Sequence, residues 1–220
     1  MAKTKAGDTG WRGSRELWLG AAYRALIESG VDAVRIQPLG KAVGLSRTSF
    51  YWFFADREAL LDALLDLWRE KNTGNLVRRT TAYADTLTEA VLNIFDCWLD
   101  AELFDAQFEF AVRSWALQSA PVSAEIERAD AARLAAIAEL FTRFGIEPGS
   151  AEVRGRTLYL TQIGYISMKS AEALALRMQR IPHYVEIFTG NLPTARELAR
   201  FHARHGFSAG PDEERLSAAS

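Results

Sequence analysis

Between Arg47 and Trp52 the chain reads Arg-Thr-Ser-Phe-Tyr-Trp, a compact group of hydrogen-bond donors and aromatic rings. Arg47 can bond a phosphate or the O6 and N7 of guanine, Thr48 and Ser49 can reach base edges or a thymine methyl, and Tyr51 can donate to a phosphate. The same residues would suit an ordinary surface helix, although Tyr51-Trp52 is an awkward pair to leave in water without a partner. Other reactive residues form no comparable group. Asp8-Thr9-Gly10 matches the aspartic-protease tripeptide, but that chemistry needs two facing carboxylates in a β-rich fold, so a chance match is the plainer reading. His202 and His205, three apart, could hold a metal with His183 or a carboxylate. Solvent-facing histidines near a helix end explain them as well. Cys97 has no nucleophile partner and reads as core. No Gly-rich phosphate loop of either standard type is present, and neither a cofactor nor a metal is expected.

The elements that must present Arg47 to Trp52 are two short helices. Leu39 to Val43 forms the first, Gly44-Leu45-Ser46 a tight turn, and Arg47 to Phe54 the second. This is the layout of a helix-turn-helix, whose second helix can enter a major groove. Gly44 tolerates a left-handed turn and Ser46 can cap the helix that follows. Leu39, Val43, Leu45 and Phe50 supply a small shared core, which leaves Arg47, Thr48, Ser49, Tyr51 and Trp52 to point outward.

The remaining periodicity is helical throughout, with no strand-like alternation, so the fold class is all-α. Helices are expected over Arg15 to Ser29, from Asp56 to near Asn72-Thr73-Gly74, over Leu87 to Asp100, Asp105 to Leu117 and Ser123 to Phe144. A long helix follows from Ser150 to about Arg180, then shorter segments at Tyr184 to Phe188 and Thr194 to His205. No stretch approaches the roughly 20 apolar residues of a membrane helix. The longest uncharged apolar one, Thr157 to Met168, has 12. A single cysteine and no secretory signal suit a cytoplasmic protein.

At this point the chain resembles a known family. Gly30 to Ser46, then Arg47 to Phe54, then Asp56-Arg57-Glu58-Ala59-Leu60-Leu61, together with Ala21-Ala22, is similar to the N-terminal domain of TetR-type transcriptional regulators. The Gly-hydrophobic-Ser turn, the Tyr followed by an aromatic and the Phe-x-x-basic-Glu-x-Leu-Leu exit occur in register. The resemblance implies that Gln37, Ser46, Arg47, Thr48 and Ser49 meet bases or nearby phosphates, while Tyr51, Trp52 and Arg57 grip the backbone. It also implies a homodimer on a palindromic double-stranded DNA operator, and a repressor released by a small molecule. There are departures: Arg35 stands where the family usually has a Thr cap, Pro38 replaces an acidic residue, Gly40 an Ala, and Phe53 a His that often reaches a phosphate.

Charge follows the same division. The total is −2, but residues 1–60 carry nine basic and six acidic residues, a net of +3, leaving −5 on the rest. The expected organisation is a flexible basic arm over 1–13, a three-helix DNA-binding domain over 14–60, a helical ligand-binding and dimerisation domain over 61–208, and a mobile tail over 209–220. On the central helices Trp98, Phe104, Phe108, Trp115, Tyr159, Gln162, Tyr165 and Met168 could line a small-molecule pocket, and could equally be core. No charge among them selects a ligand, so an apolar or aromatic one is expected. Gly155, Gly164, Ser167, Ala171 and Ala175 would let a partner helix approach, and with Thr194 to His205 they form a candidate dimer interface. The alternative is a helical enzyme or binding module whose N-terminal motif does not bind DNA.

Overall fold

The structure, a computed structural model, describes residues 13–208. The basic arm up to Arg12, with Asp8-Thr9-Gly10, and the tail 209–220 lie outside the described residues. Regular structure among the described residues is entirely helical. The chain divides into two compact units between Leu67 and Trp68, later than the boundary expected after residue 60.

The first unit is built on α1 (Arg15–Ser29), α2 (Ile36–Val43) and α3 (Arg47–Phe50), and the chain leaves it along α4 (Arg57–Trp68). Ser14 caps α1 by accepting from Leu17 N, and Asp56 Oδ1 accepts from Ala59 N at the start of α4. Its core gathers Trp18, Ala22, Leu26, Val34, Leu39, Phe50, Leu60 and Leu64, with Trp18 meeting Phe50 edge-on at 5.1 Å. Gly40 is where this core comes closest to backbone: a Cβ there would lie 2.8 Å from Leu45 O and 3.1 Å from Trp18 Cη2. The glycine thus serves the turn by close approach, since Leu45 N donates to Gly40 O at 2.8 Å.

Three expectations about helix extent are corrected. The helix begun at Asp56 does not stop near Gly74. After Trp68 it passes through a π-helical stretch, Arg69–Gly74, into α5 (Asn75–Thr80). The helix expected from Arg47 to Phe54 is cut to α3, with Tyr51 to Phe53 in a turn. The single helix from Ser150 to Arg180 is two. α6 (Leu87–Leu99), α7 (Ala106–Ala116) and α8 (Ala120–Arg143) come first, then α9 (Pro148–Ser167), α10 (Leu174–Thr189) and α11 (Ala195–Arg204). α9 ends in a Schellman motif: Ser170 N donates to Tyr165 O and Lys169 N to Ile166 O, both at 3.0 Å, and Lys169 takes the left-handed position at φ 51° that glycine usually fills. α10 also closes the gap expected between Arg180 and Tyr184, with Pro182 inside the helix.

In the second unit α6 is buried nearly all round, from Thr88 through Trp98, because α5, α10 and α11 pack on it while α8 and α9 run against each other. The core includes Val91, Ile94, Phe95, Ile137, Phe141, Leu158, Ile181, Val185 and Phe201. Gly155 lets α9 touch α8, where a Cβ would come within 3.3 Å of Ala138 N and Ile137 Cγ2.

Candidate nucleic-acid interface and effector recess

In the first unit the turn that the residues dictate is present. Gly44 adopts the left-handed conformation, φ 68°, and Ser46 Oγ accepts from Ser49 N at 3.2 Å, capping α3. Gln37, Arg47 and Thr48 are exposed, and Tyr51 and Trp52 are 47% and 65% exposed, a high value for rings of that size. Arg47 donates from Nε and Nη2 to Tyr51 Oη at 3.3 and 3.0 Å, so the cation is held against the phenol on one face. Two residues of the expected set are not presented. Ser49 is buried, with no hydrogen-bond partner for its Oγ. Arg57 is turned inward: Nε donates to Val34 O at 2.7 Å and Nη2 to Val31 O at 2.9 Å, tying α4 to the turn between α1 and α2. Those carbonyls stand at the 3₁₀ turn Val31–Ala33, and no feature of local sequence marks them as acceptors. Arg35, at the N-cap of α2, makes no cap bond with its side chain, as expected of an arginine in a Thr position.

The second unit contains a small recess of about 20 Å³, room for about one water, between α6, α9 and α10. Of the proposed pocket residues Trp98, Gln162 and Tyr165 line it. Phe104, Phe108, Trp115 and Tyr159 do not; they are buried elsewhere in the unit, and Met168 is 79% exposed on the segment after α9. Glu172, Arg177, Arg180 and Tyr184 line the recess and escaped the sequence reading. They fall on and after the helix break that Lys169 concealed. Tyr165 and Tyr184 share a hydrogen bond at 2.9 Å, which raises the Tyr184 phenol above its ordinary range.

Tyr159 belongs instead to a buried charge network. The Glu109 carboxylate, fully buried, accepts from Trp68 Nε1 at 2.7 Å, Asn72 Nδ2 at 2.9 Å, Arg113 Nε at 2.9 Å, and Arg133 Nη1 and Nη2 at 2.8 and 3.2 Å. Arg133 is fully buried too and donates from Nε to Thr73 Oγ1 at 2.9 Å and from Nη1 to Tyr159 Oη at 2.8 Å. Tyr159 Oη donates onward to Asp130 Oδ1 at 2.6 Å. Burial pushes the Glu109 carboxyl up, but the guanidinium groups of Arg133 and Arg113 outweigh it and hold the group below its ordinary value of 4.5. The π-helical stretch is what turns Asn72 and Thr73 inward to this cluster, a common use of such bulges. The sequence did carry a signal: Arg133 lies on the buried stripe Ile126, Ala129, Arg133, Ile137, Leu140 of α8.

The small residues offered as a dimer interface scatter. Gly155 is spent on the contact with α8, Ala171 lies in the non-helical segment, and only Gly164, Ser167 and Ala175 remain on helical surface. α11 is likewise spent internally: Phe201 is buried in the core, and Glu197 closes a capping box with Thr194 while its carboxylate also accepts from Thr88. The exposed apolar residues of these two helices are instead Val153 and Leu160 on α9 and Leu174, Leu176 and Ile187 on α10. His205 bonds Asp96 Oδ1 at 2.9 Å, and among the described residues no three His, Cys, Asp or Glu side chains group to hold a metal. No described helix is long and apolar enough to cross a membrane.

Comparison with known proteins bears on both units. The family described as bacterial regulatory proteins, tetR family, matches residues 19–64. Among solved structures, a TetR-family regulator from Rhodococcus sp. aligns with a TM-score of 0.57 at 17% identity, over 79% of this chain and 97% of that one. One from Mesorhizobium loti aligns with a TM-score of 0.55 at 16% identity, over 86% and 95%. The fatty acid degradation regulator FadR from Bacillus halodurans gives 0.59 at 16% identity, over 86% and 98%. At these identities the likeness is one of fold. No curated protein matches the chain. The match over residues 19–64 makes the segment from α1 to α4 similar to the helix-turn-helix domain of tetR-family bacterial regulatory proteins, and the solved structures extend the likeness of fold to the rest of the chain.

Proposed function

We propose that this chain is a tetR-type transcriptional regulator, a homodimeric repressor that leaves a palindromic operator when a small molecule enters its second unit. What supports this is the exposure of Gln37, Arg47, Thr48, Tyr51 and Trp52 around the turn and α3, with Arg47 bonded to Tyr51, a set of donors and rings that duplex DNA would cover. In this reading Arg47 reads a base or a nearby phosphate, with its bond to Tyr51 Oη exchanged for one to DNA. Tyr51 and Trp52 hold the backbone, and Ser46 keeps its capping role. Ser49 and Arg57 act from inside the unit. The first unit is the DNA-binding domain and the second the effector-binding and dimerisation domain, and the protein works in the cytoplasm.

Dimerisation is assigned to the outer face of α9 and α10, where Val153, Leu160, Leu176 and Ile187 are exposed. A two-fold dimer sets its recognition helices about 34–36 Å apart, one duplex turn, and it is this spacing that an effector would alter. To move the population from 1:99 to 99:1 the effector must favour the non-binding geometry by about 5.5 kcal/mol.

A gel-shift titration of the full chain against the DNA upstream of its own gene tests the reading. Saturable, salt-sensitive binding that survives excess unrelated duplex is expected. Equal binding to all duplexes, or none, would sink it.

A further inference from the structure

The recess between α6, α9 and α10 has an apolar floor and an excess of hydrogen-bond donors at its rim. Phe95, Leu158, Ile181 and Phe188 are buried around it. Two cations, Arg177 and Arg180, face a single carboxylate, Glu172, which is bonded to Arg180. Arg177 has no ion-pair partner among the described residues. Its Nη1 donates to Trp98 O at 2.9 Å, and its remaining donors are uncommitted. Burial draws the Arg177 guanidinium below its ordinary value, and Glu172 and Tyr165 do not make up the difference. The Trp98 ring lines the same recess, is 7% exposed, and its indole N–H has no acceptor.

A half-buried cation short of negative charge and a buried N–H short of an acceptor both call for the same thing, an anionic oxygen. The apolar floor calls for a hydrocarbon or aromatic body behind it. We infer that this recess is the effector site and that it takes a small carboxylate with an apolar body, the carboxylate on Arg177 and the body among Phe95, Leu158, Ile181 and Phe188. This deepens the reading of the second unit as effector-binding and rests on it, and it replaces the purely apolar ligand expected from the sequence. As it stands the recess has room for about one water, so a ligand must widen it. The wall best able to yield is the non-helical segment 168–173, where four successive residues, Met168 to Ser170 and Ala171, are exposed and Lys169 holds a positive φ.

The test is calorimetric titration of the full chain, without DNA, with 4-phenylbutyrate, its neutral amide and 4-phenylbutylamine. The carboxylate should bind saturably, the amide about tenfold more weakly or worse, and the amine not measurably, as loss of a charge-assisted bond predicts. Arg177→Gln should erase the preference for carboxylate over amide, and Arg177→Lys should keep part of it. Trp98→Phe, which keeps a ring and removes the N–H, should weaken the carboxylate alone. Thermal melts of each variant identify any that no longer fold, and Trp98→Phe then carries the comparison. The inference is overturned if amide or amine binds as tightly as carboxylate, if a folded Arg177→Gln keeps the preference, or if 4-phenylbutyrate does not bind at millimolar concentration. Operator binding is scored separately. A chain that binds the carboxylate but no operator refutes the repressor reading alone, and one that binds operator but no carboxylate refutes this inference alone.

Discussion

Replacing Arg133 with Met should destabilise the second unit by about 3–5 kcal/mol, because it strands a buried carboxylate. The size follows from the geometry. Glu109 is fully buried and has five donors; Arg133 supplies two of them and one of its two cationic neighbours. In a unit of this size about 2–4 °C of melting temperature accompanies each kcal/mol, so the drop should be roughly 6–20 °C. Calorimetric melting of wild type, Arg133→Met, Glu109→Leu and the double variant measures it. The double variant should recover most of the loss, since a well-packed apolar pair can replace a buried ion pair at little net cost. Acid gives an independent reading. The Glu109 carboxyl lies below 4.5 in the folded chain, so its contribution is complete above that value and is lost as pH falls through the folded one. In Arg133→Met burial is opposed chiefly by Arg113, the carboxyl moves upward, and the deficit should narrow from about pH 7 to about pH 4. A single variant within about 1 kcal/mol of wild type, or a deficit independent of pH, would refute the reasoning.

Other outcomes follow from the same contacts. Gly40→Ala should lose about 1–3 kcal/mol in urea unfolding of the first unit, because the clash with Leu45 O outweighs the better helix propensity; a stabilised variant would contradict it. Arg57→Ala should cost about 1.5–3 kcal/mol of stability yet leave the salt dependence of operator binding unchanged, whereas a phosphate contact would lower that slope by about one. Burial pushes the Cys97 thiol up to about 12, so Ellman's reagent near pH 8 should label it only as the protein unfolds. Leu160→Glu with Ile187→Glu should give a monomer by sedimentation if α9 and α10 form the dimer face, and an unchanged dimer would move the interface elsewhere.

The recognition turn was legible because its signals are local: Gly44 and Ser46 do their work within a few residues of themselves. The inward role of Arg57 was not, since its partners are backbone carbonyls at Val31 and Val34, where any residue type would serve. The break after α9 was hidden for a similar reason, a lysine occupying a position that glycine normally announces. The gap expected between Arg180 and Tyr184 is instead helical through Pro182, because packing on α6 and α9 outweighs the lost bond. With the helix drawn straight through residues 168–173, Arg177 and Arg180 had no recess to face. Pocket aromatics such as Phe108 and Tyr159 could not be told from core, because burial depends on which helices meet.

The π-helical stretch Arg69–Gly74 has a practical consequence for exchanging the first unit between chains of this fold. Its Asn72 and Thr73, and Trp68 just before it, are wired into α7 and α8 by Glu109 and Arg133. A graft joined downstream of Trp68 would import a foreign helix without those partners and leave the recipient's carboxylate short of donors. A graft joined at Leu67 would carry the bulge, and the charges it serves, with the body to which they belong.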